Sequence, residues 1–151
     1  MAEQRTLILI KPDAVQRGLM GEILGRFERK GLISVGAKFV VASEAQGRQH
    51  YEEHAAKPFF PGLLSFITCG PLLALALEGD EAVAVCRNLI GPTDGRKAPP
   101  GTIRGDFGIS RSSNLVHGSD SAESATRELS IWFPEGLLKW TRCDRPWLDS
   151  E

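Results

Sequence analysis

Apolar residues in this chain fall into short runs and staggered stripes that alternate between strand and helix periods. Thr6-Leu7-Ile8-Leu9-Ile10 is an almost unbroken apolar run, which predicts a strand buried on both faces. Lys11-Pro12-Asp13 ends it. Between Gly21 and Lys30, Ile23, Leu24 and Phe27 share one helical face among polar neighbours, and Gly31 is placed to close that helix. Residues 33–42 are rich in β-branched side chains and predict a second strand. Ser43 with Gln46 has the form of a capping box, opening a helix that the pattern carries to about His54.

Pro61 suits the first turn of a short helix, Gly62 to Thr68, and Leu72 to Leu77 reads as a third strand. Gly79-Asp80 turns the chain, with Asp80 as cap of a helix from Glu81 to about Ile90 that Gly91 closes. Residues 91–114 mix glycine, proline and basic residues without periodicity, a long loop of the kind kept for function. Leu115 to His117 reads as a short strand, and Asp120 with Glu123 as a second capping box for a helix from Ala122 to Phe133. The tail from Pro134 carries Leu137, Leu138, Trp140 and Trp147, too apolar to stay in water, so it should pack on this subunit or a neighbour. Without a regular βαβ rhythm or internal repeat, the order of elements predicts an α+β fold, a small sheet with helices on one face.

Length and charge narrow the reading without directing it. A chain of 151 residues fits one domain, 1–151, with a core over about 5–134 and a tail over 135–151, and a domain of that size buries about 68–70% of its unfolded surface. Eighteen basic and nineteen acidic residues leave a formal charge of -1, so no global field favours nucleic acid or an anionic membrane. Any anion site must be local. Cys69, Cys86 and Cys143 are odd in number and form no Cys-x-x-Cys, which fits a reducing compartment and makes the cytoplasm the expected location. The N-terminus does not read as a signal peptide, and no apolar run approaches the ~18 residues of a membrane span.

The densest chemistry lies in Asn114-Leu115-Val116-His117-Gly118-Ser119-Asp120-Ser121, where an imidazole sits between an apolar run and small polar residues. Histidine changes charge near pH ~6.5, so one ring nitrogen can attack while the other is oriented by a hydrogen bond. Gly118 leaves room for a substrate. Neither a P-loop nor Gly-x-Gly-x-x-Gly occurs, so bound polyphosphate would have to be met by side chains. Lys11, Arg87, Arg104 and the Thr93 hydroxyl are the candidates, each at the edge of a predicted element. Singly, such a charge is most often a solvated surface group. Phe59 or Phe60 could offer a face for a base, although adjacent phenylalanines usually place one in the core. An isolated Asn114 reads as a turn residue. His50 and His54, four apart, are a weak metal pair with no third ligand evident in the sequence.

Three strings together carry a resemblance: Lys11-Pro12-Asp13, Pro100-Gly101-Thr102-Ile103-Arg104-Gly105-Asp106-Phe107 and His117-Gly118-Ser119-Asp120-Ser121. In order and spacing over roughly residues 5 to 134 they resemble the signature set of nucleoside diphosphate kinases. The resemblance implies a ferredoxin-like antiparallel four-stranded sheet. It also implies transfer of a γ-phosphate from a nucleoside triphosphate such as ATP to a diphosphate such as GDP, by ping-pong through a phosphohistidine on His117. Lys11, Arg87 and Arg104 would grip the phosphates, with Thr93 on the β-phosphate. Glu128 would orient the imidazole, with Ser119 and Tyr51 as hydrogen-bonding supports. Family spacing puts Phe59 outside, where stacking tolerates any base, and gives Asn114 with Lys11 to the sugar hydroxyls. Mg2+ would arrive on the nucleotide, with Asp120 reaching it through water.

The resemblance further implies a soluble homo-oligomer, towards which the tail argues for a hexamer over a tetramer. Three positions depart from the family's usual pattern: Gly95 often replaced by proline, Ser113 by a basic residue, and Arg111 by an apolar one. Gly95 is expected to loosen its loop, and Arg111 bears on nucleotide preference. Two rival readings are a non-catalytic binding module and a phosphotransferase acting on a protein. The second would not need Lys11, Arg87, Thr93, Arg104 and Asn114 together.

Overall fold

A computed structural model describes residues 3–148; the expected domain limits at 1 and 151 lie outside them. Four strands, β1 (Glu3–Ile10), β2 (Ile33–Val40), β3 (Leu72–Asp80) and β4 (Val116–Gly118), form one sheet in the order β2-β3-β1-β4. Every pairing is antiparallel, so the fold is α+β with the ferredoxin-like sheet. Among the described residues seven α-helices accompany it: α1 (Pro12–Gln16), α2 (Met20–Lys30), α3 (Glu44–His50), α4 (Phe60–Thr68), α5 (Ala82–Ile90), α6 (Ile103–Phe107) and α7 (Ala122–Trp132).

The helices cover both faces of the sheet, not the single face expected. Thr6 to Ile10 are completely buried, and the strand's two-residue alternation divides them. Ile8 and Ile10 pack with Ile23 and Phe27 of α2 and with Cys86 and Ile90 of α5, whereas Leu7 and Leu9 pack with Ile67 of α4 and Trp132 of α7. A strand apolar on both sides needs a cover on each, since every such side chain contributes about 1.5–3 kcal/mol on burial.

Local signals place several ends as expected. Gly31 closes α2 at φ 107, a backbone region that costs a side chain energy. Ser43 accepts from the Gln46 amide and Gln46 reaches back to the Ser43 amide, completing the capping box of α3. Elsewhere tertiary contacts overrule the pattern. Helix α3 stops at His50 rather than His54, because Arg127 of α7 takes the carbonyls of Gln49 and His50; Glu52–His54 form a separate 3-10 turn. Strand β3 runs through Gly79-Asp80, with Asp80 opposite Glu3. Helix α5 is therefore not capped by Asp80, and Gln4 Oε1 receives the Val83 amide instead. At α7 the cap is Ser121, which accepts from the Ser124 amide, not Asp120. The aperiodic loop contains α6, capped by Thr102.

The tail packs on its own subunit along β2. Leu138 donates its amide to the Val35 carbonyl and Trp140 Nε1 donates to the Ser34 carbonyl, while Trp147 remains 88% exposed. Gly95 also differs from expectation. It is buried, donates to the Ser110 carbonyl, and a Cβ there would stand 2.6 Å from the Gly108 carbonyl carbon. The glycine is demanded by close backbone approach.

Candidate active site

β4 lies beside the central strand, with His117 opposite Leu9. The chain enters β4 through a strained turn. Leu115 is fully buried at φ 74, and the Val116 amide reaches back to the Asn114 carbonyl at 2.8 Å. A hydrogen bond across one residue at positive φ is the rare, strained form of γ-turn. At its middle residue, Asp13 Oδ2 accepts the Leu115 amide at 3.1 Å and the Lys11 amide donates to the Leu115 carbonyl at 2.9 Å.

His117 Nε2 lies 2.8 Å from Glu128 Oε1, and Ser119 Oγ donates to the same oxygen at 2.7 Å. Ser119 in turn accepts the Leu7 amide. Ser119 and Glu128 are buried and His117 is half-buried, so the triad joins core to cleft. With Nε2 facing a carboxylate, its proton is held there, and Nδ1 keeps the lone pair.

The cleft at His117 measures about 200 Å³ and is lined by His50, Tyr51, Arg87, Gly118, Asp120 and Glu128 among others. Arg87 donates to the Gly118 carbonyl and is otherwise exposed. A hydrogen bond from Ser124 and the nearby Arg87 hold the Asp120 carboxyl below its usual range, so it is ionised near neutral pH. Burial and the Glu128 charge push the Tyr51 phenol up to about 12. A second cleft of about 460 Å³ shares Tyr51 and adds Lys11, Phe59, Leu63, Phe66 and Ser112. Phe59 is 52% exposed and Phe60 is buried.

Lys11 Nζ donates to Asn114 Oδ1 at 2.6 Å, and Asn114 Nδ2 donates to the Arg111 carbonyl at 2.8 Å and the Thr93 carbonyl at 3.4 Å. Thr93 is thereby tied to the site through its backbone. Arg104 is buried and donates to the carbonyls of Asn114, Gly91 and Val116, anchoring the approach to β4. Burial and the Arg104 charge lower the Lys11 pKa to about 8, and burial and the Arg87 charge lower that of Arg104 to about 10. Crowded cations that depress one another's pKa leave an excess of positive potential, which a polyphosphate would relieve.

His50, His117 and Glu128 bring their ligand atoms within 4.8 Å of one another, a trio absent from the sequence pairing of His50 with His54. Trp132 Nε1 donates to His50 Nδ1 at 3.1 Å. An indole N–H only donates, so the one lone pair of neutral His50 is spent and its proton sits on Nε2. Burial and the His117 charge also hold its pKa well below the usual value. The trio therefore does not fit a resident transition metal. Trp132 had no local signal in the sequence, since its partner is 82 positions away.

Comparison with known proteins gives the chain's relationships. The family model for nucleoside diphosphate kinase matches residues 4–137. A nucleoside diphosphate kinase of Staphylococcus carnosus is 53% identical over 146 residues, covering 96% of this chain and 97% of its own length. One from Rhodococcus erythropolis is 61% identical over 132 residues, covering 87% and 95%. Among solved structures, a halophilic nucleoside diphosphate kinase from Halobacterium salinarum in complex with CDP superposes with TM-score 0.95 at 45% identity, covering 99% of this chain and all of that one.

Proposed function

The chain belongs to the nucleoside diphosphate kinase family, and from that premise we propose that it moves a γ-phosphate between nucleotides through a phosphohistidine on His117. The observation that carries this reading is the 2.8 Å contact of His117 Nε2 with Glu128, which leaves Nδ1 as the nucleophilic nitrogen. Nδ1 attacks the γ-phosphorus, the bond to the β,γ-bridging oxygen breaks, and the nucleoside diphosphate leaves with that electron pair. The Nε2 proton stays on the ring, where Glu128 offsets the positive charge that phosphorylation creates. In the second half, a β-phosphate oxygen of the acceptor diphosphate attacks the same phosphorus and the N–P bond breaks. Donor and acceptor use one site, so the kinetics are ping-pong.

Lys11, Arg87, Arg104 and Thr93 serve the phosphates, and Asn114 with Lys11 serves the sugar. The spare N–H groups of Arg104 would be those left by its three carbonyl partners. Exposed Phe59 stacks on the base without reading its edge, which supports ATP, GDP and other nucleotides as substrates. Mg2+ carried on the nucleotide fits this site: Asp120 offers one ionised carboxylate, and Mg2+ takes most remaining ligands from phosphate and water. When bound, the ion neutralises charge on the transferring phosphoryl group.

Exposed Phe39, Val41, Ile109 and Trp147 supply apolar surface for a homo-hexamer, with a tetramer as the alternative; light scattering separates the two. Free cysteines and the lack of a helix able to cross a membrane among the described residues agree with a cytoplasmic enzyme.

Incubation with Mg2+ and γ-labelled ATP, followed by removal of nucleotide, tests the mechanism. The expected product is an acid-labile, base-stable label that GDP, CDP or UDP discharges and that His117→Ala lacks. An unlabelled wild-type protein, or equal labelling of the alanine variant, overturns it.

A further inference from the structure

His50, the last residue of α3, is only 3% exposed, yet it lines the cleft at His117. Aromatic rings meet it edge-on from three directions: His117 with centroids 4.6 Å apart, Tyr51 at 4.8 Å and Trp132 at 5.7 Å. Arg127 donates to its carbonyl and Trp132 Nε1 donates to its Nδ1 at 3.1 Å, so backbone and ring are both held from α7. With the Nδ1 lone pair taken by an indole that can only donate, the ring proton is on Nε2. Among the described residues no acceptor meets that Nε2–H. Glu128 Oε1, in the same cleft, is already shared by His117 and Ser119. Burying a donor without an acceptor is unfavourable, so a ligand oxygen that meets it is stabilised.

We propose that His50 is a further catalytic residue, whose Nε2–H donates a hydrogen bond to the phosphoryl group carried by His117. The inference deepens the phosphohistidine reading above and rests on it. His50 and His117 bring a ring nitrogen each within 4.8 Å of one another, and Nδ1 of His50 is turned to the buried Trp132, which leaves the Nε2–H edge to the cleft. A phosphoryl group arriving on His117 brings three acceptor oxygens into that space. No proton moves: His50 keeps its own through both half-reactions and acts by a dipole already in place, the form of stabilisation that needs no reorganisation as charge shifts. Its neutrality suits the task, because an imidazolium there would face the positive charge that phosphorylation puts on the His117 ring. Trp132 is then a positioning residue, acting through the tautomer it imposes on His50.

Two substitutions separate the donor from the packing. His50→Phe keeps a ring of similar size and has no N–H, whereas His50→Gln gives up the ring and keeps an amide N–H. His50→Phe should slow formation of phosphohistidine at saturating ATP by about ten- to a hundredfold, read by rapid quench, with GDP affinity close to wild type because GDP brings no phosphoryl group to His117. His50→Gln should recover most of the rate. Labelling of a folded His50→Phe variant at the wild-type rate overturns the proposal, and equal slowing in the two variants assigns the effect to packing and overturns it as well.

Should the variants not fold, the unmutated enzyme serves. A crystal structure of the phosphorylated protein should place a phosphoryl oxygen within hydrogen-bond distance of His50 Nε2, and a phosphoryl group turned away from that nitrogen overturns the proposal equally. Wild-type labelling by ATP keeps these outcomes distinct from failure of the phosphohistidine reading, which would leave no label at all.

Discussion

Glu128 Oε1 stands 2.8 Å from His117 Nε2 in the cleft between β4 and α7, eleven positions apart in the chain. The same oxygen receives Ser119 Oγ, so the imidazole is oriented by a carboxylate that is itself held in place from the core. Removing that negative charge withdraws a charge-assisted hydrogen bond, worth about 1.5–3 kcal/mol. Glu128→Gln should therefore slow formation of phosphohistidine by about ten- to a hundredfold, read by rapid quench of labelling with ATP. An unaltered rate would mean that the carboxylate does not orient the nucleophile.

Lys11 should set opposite trends for binding and folding in alkali. Its folded pKa is about 8 against an ordinary 10.5. Between those values the unfolded chain binds the proton that the folded chain has lost, so Lys11's contribution to folding stability rises with pH across that window. In the proposed mechanism this cation meets the phosphates, so nucleotide affinity is expected to fall over the same range. Lys11→Met should remove both trends, raising thermal stability below pH 8 and weakening nucleotide binding at every pH. Denaturation midpoints and nucleotide titrations across the window check this.

The His50–Trp132 hydrogen bond predicts a fixed tautomer. In 15N NMR, His50 should show an unprotonated Nδ1 and a protonated Nε2, and it should stay neutral well below the ordinary histidine pKa of 6.5. Since the unfolded chain takes up a proton that folded His50 refuses, stability should fall as pH drops below about 6.5. Trp132→Phe would leave Nδ1 without its donor and the core underfilled, costing about 3 kcal/mol. A His50 signal protonated on Nδ1 would contradict the assignment.

Gly95 packs against the Gly108 backbone, so Gly95→Ala should lower stability by about 1–3 kcal/mol through overpacking. Gly95→Pro would in addition remove the amide donated to Ser110. Chemical denaturation measures both; a variant as stable as wild type would show that the two backbones separate at little cost.

Much of this protein was legible in local spacing. The run from Thr6 to Ile10 announced the buried central strand, Ser43 and Gln46 the start of α3, Gly31 the end of α2, and the His117 string, with its two companions, the family. These signals work because strand alternation, capping and positive φ depend on residues a few positions apart.

The reading failed at two helix ends where a distant group took over a local task, and at a third where an adjacent residue did. Arg127 ends α3 four residues early by claiming its last carbonyls, Gln4 supplies the amide partner that Asp80 was expected to supply, and Ser121, next in the chain, caps α7 in place of Asp120. Asp120 is thus left to line the cleft beside His117. Helices on both faces follow from the same strand whose two-sided burial the sequence had announced, but which helix covers which face depends on chain path.

What the sequence determined by itself is the set of elements and the family to which they belong, since both are written in short-range pattern. Tertiary structure alone decided the working geometry. Placing β4 beside β1 brings Lys11 to Asn114 across 103 positions and Asp13 to Leu115 across 102, and packing α7 against α3 brings Trp132 to His50 across 82. Such pairs have no spacing rule, because the sheet order and the packing of helices on it, not the count of residues between partners, fix which side chains meet.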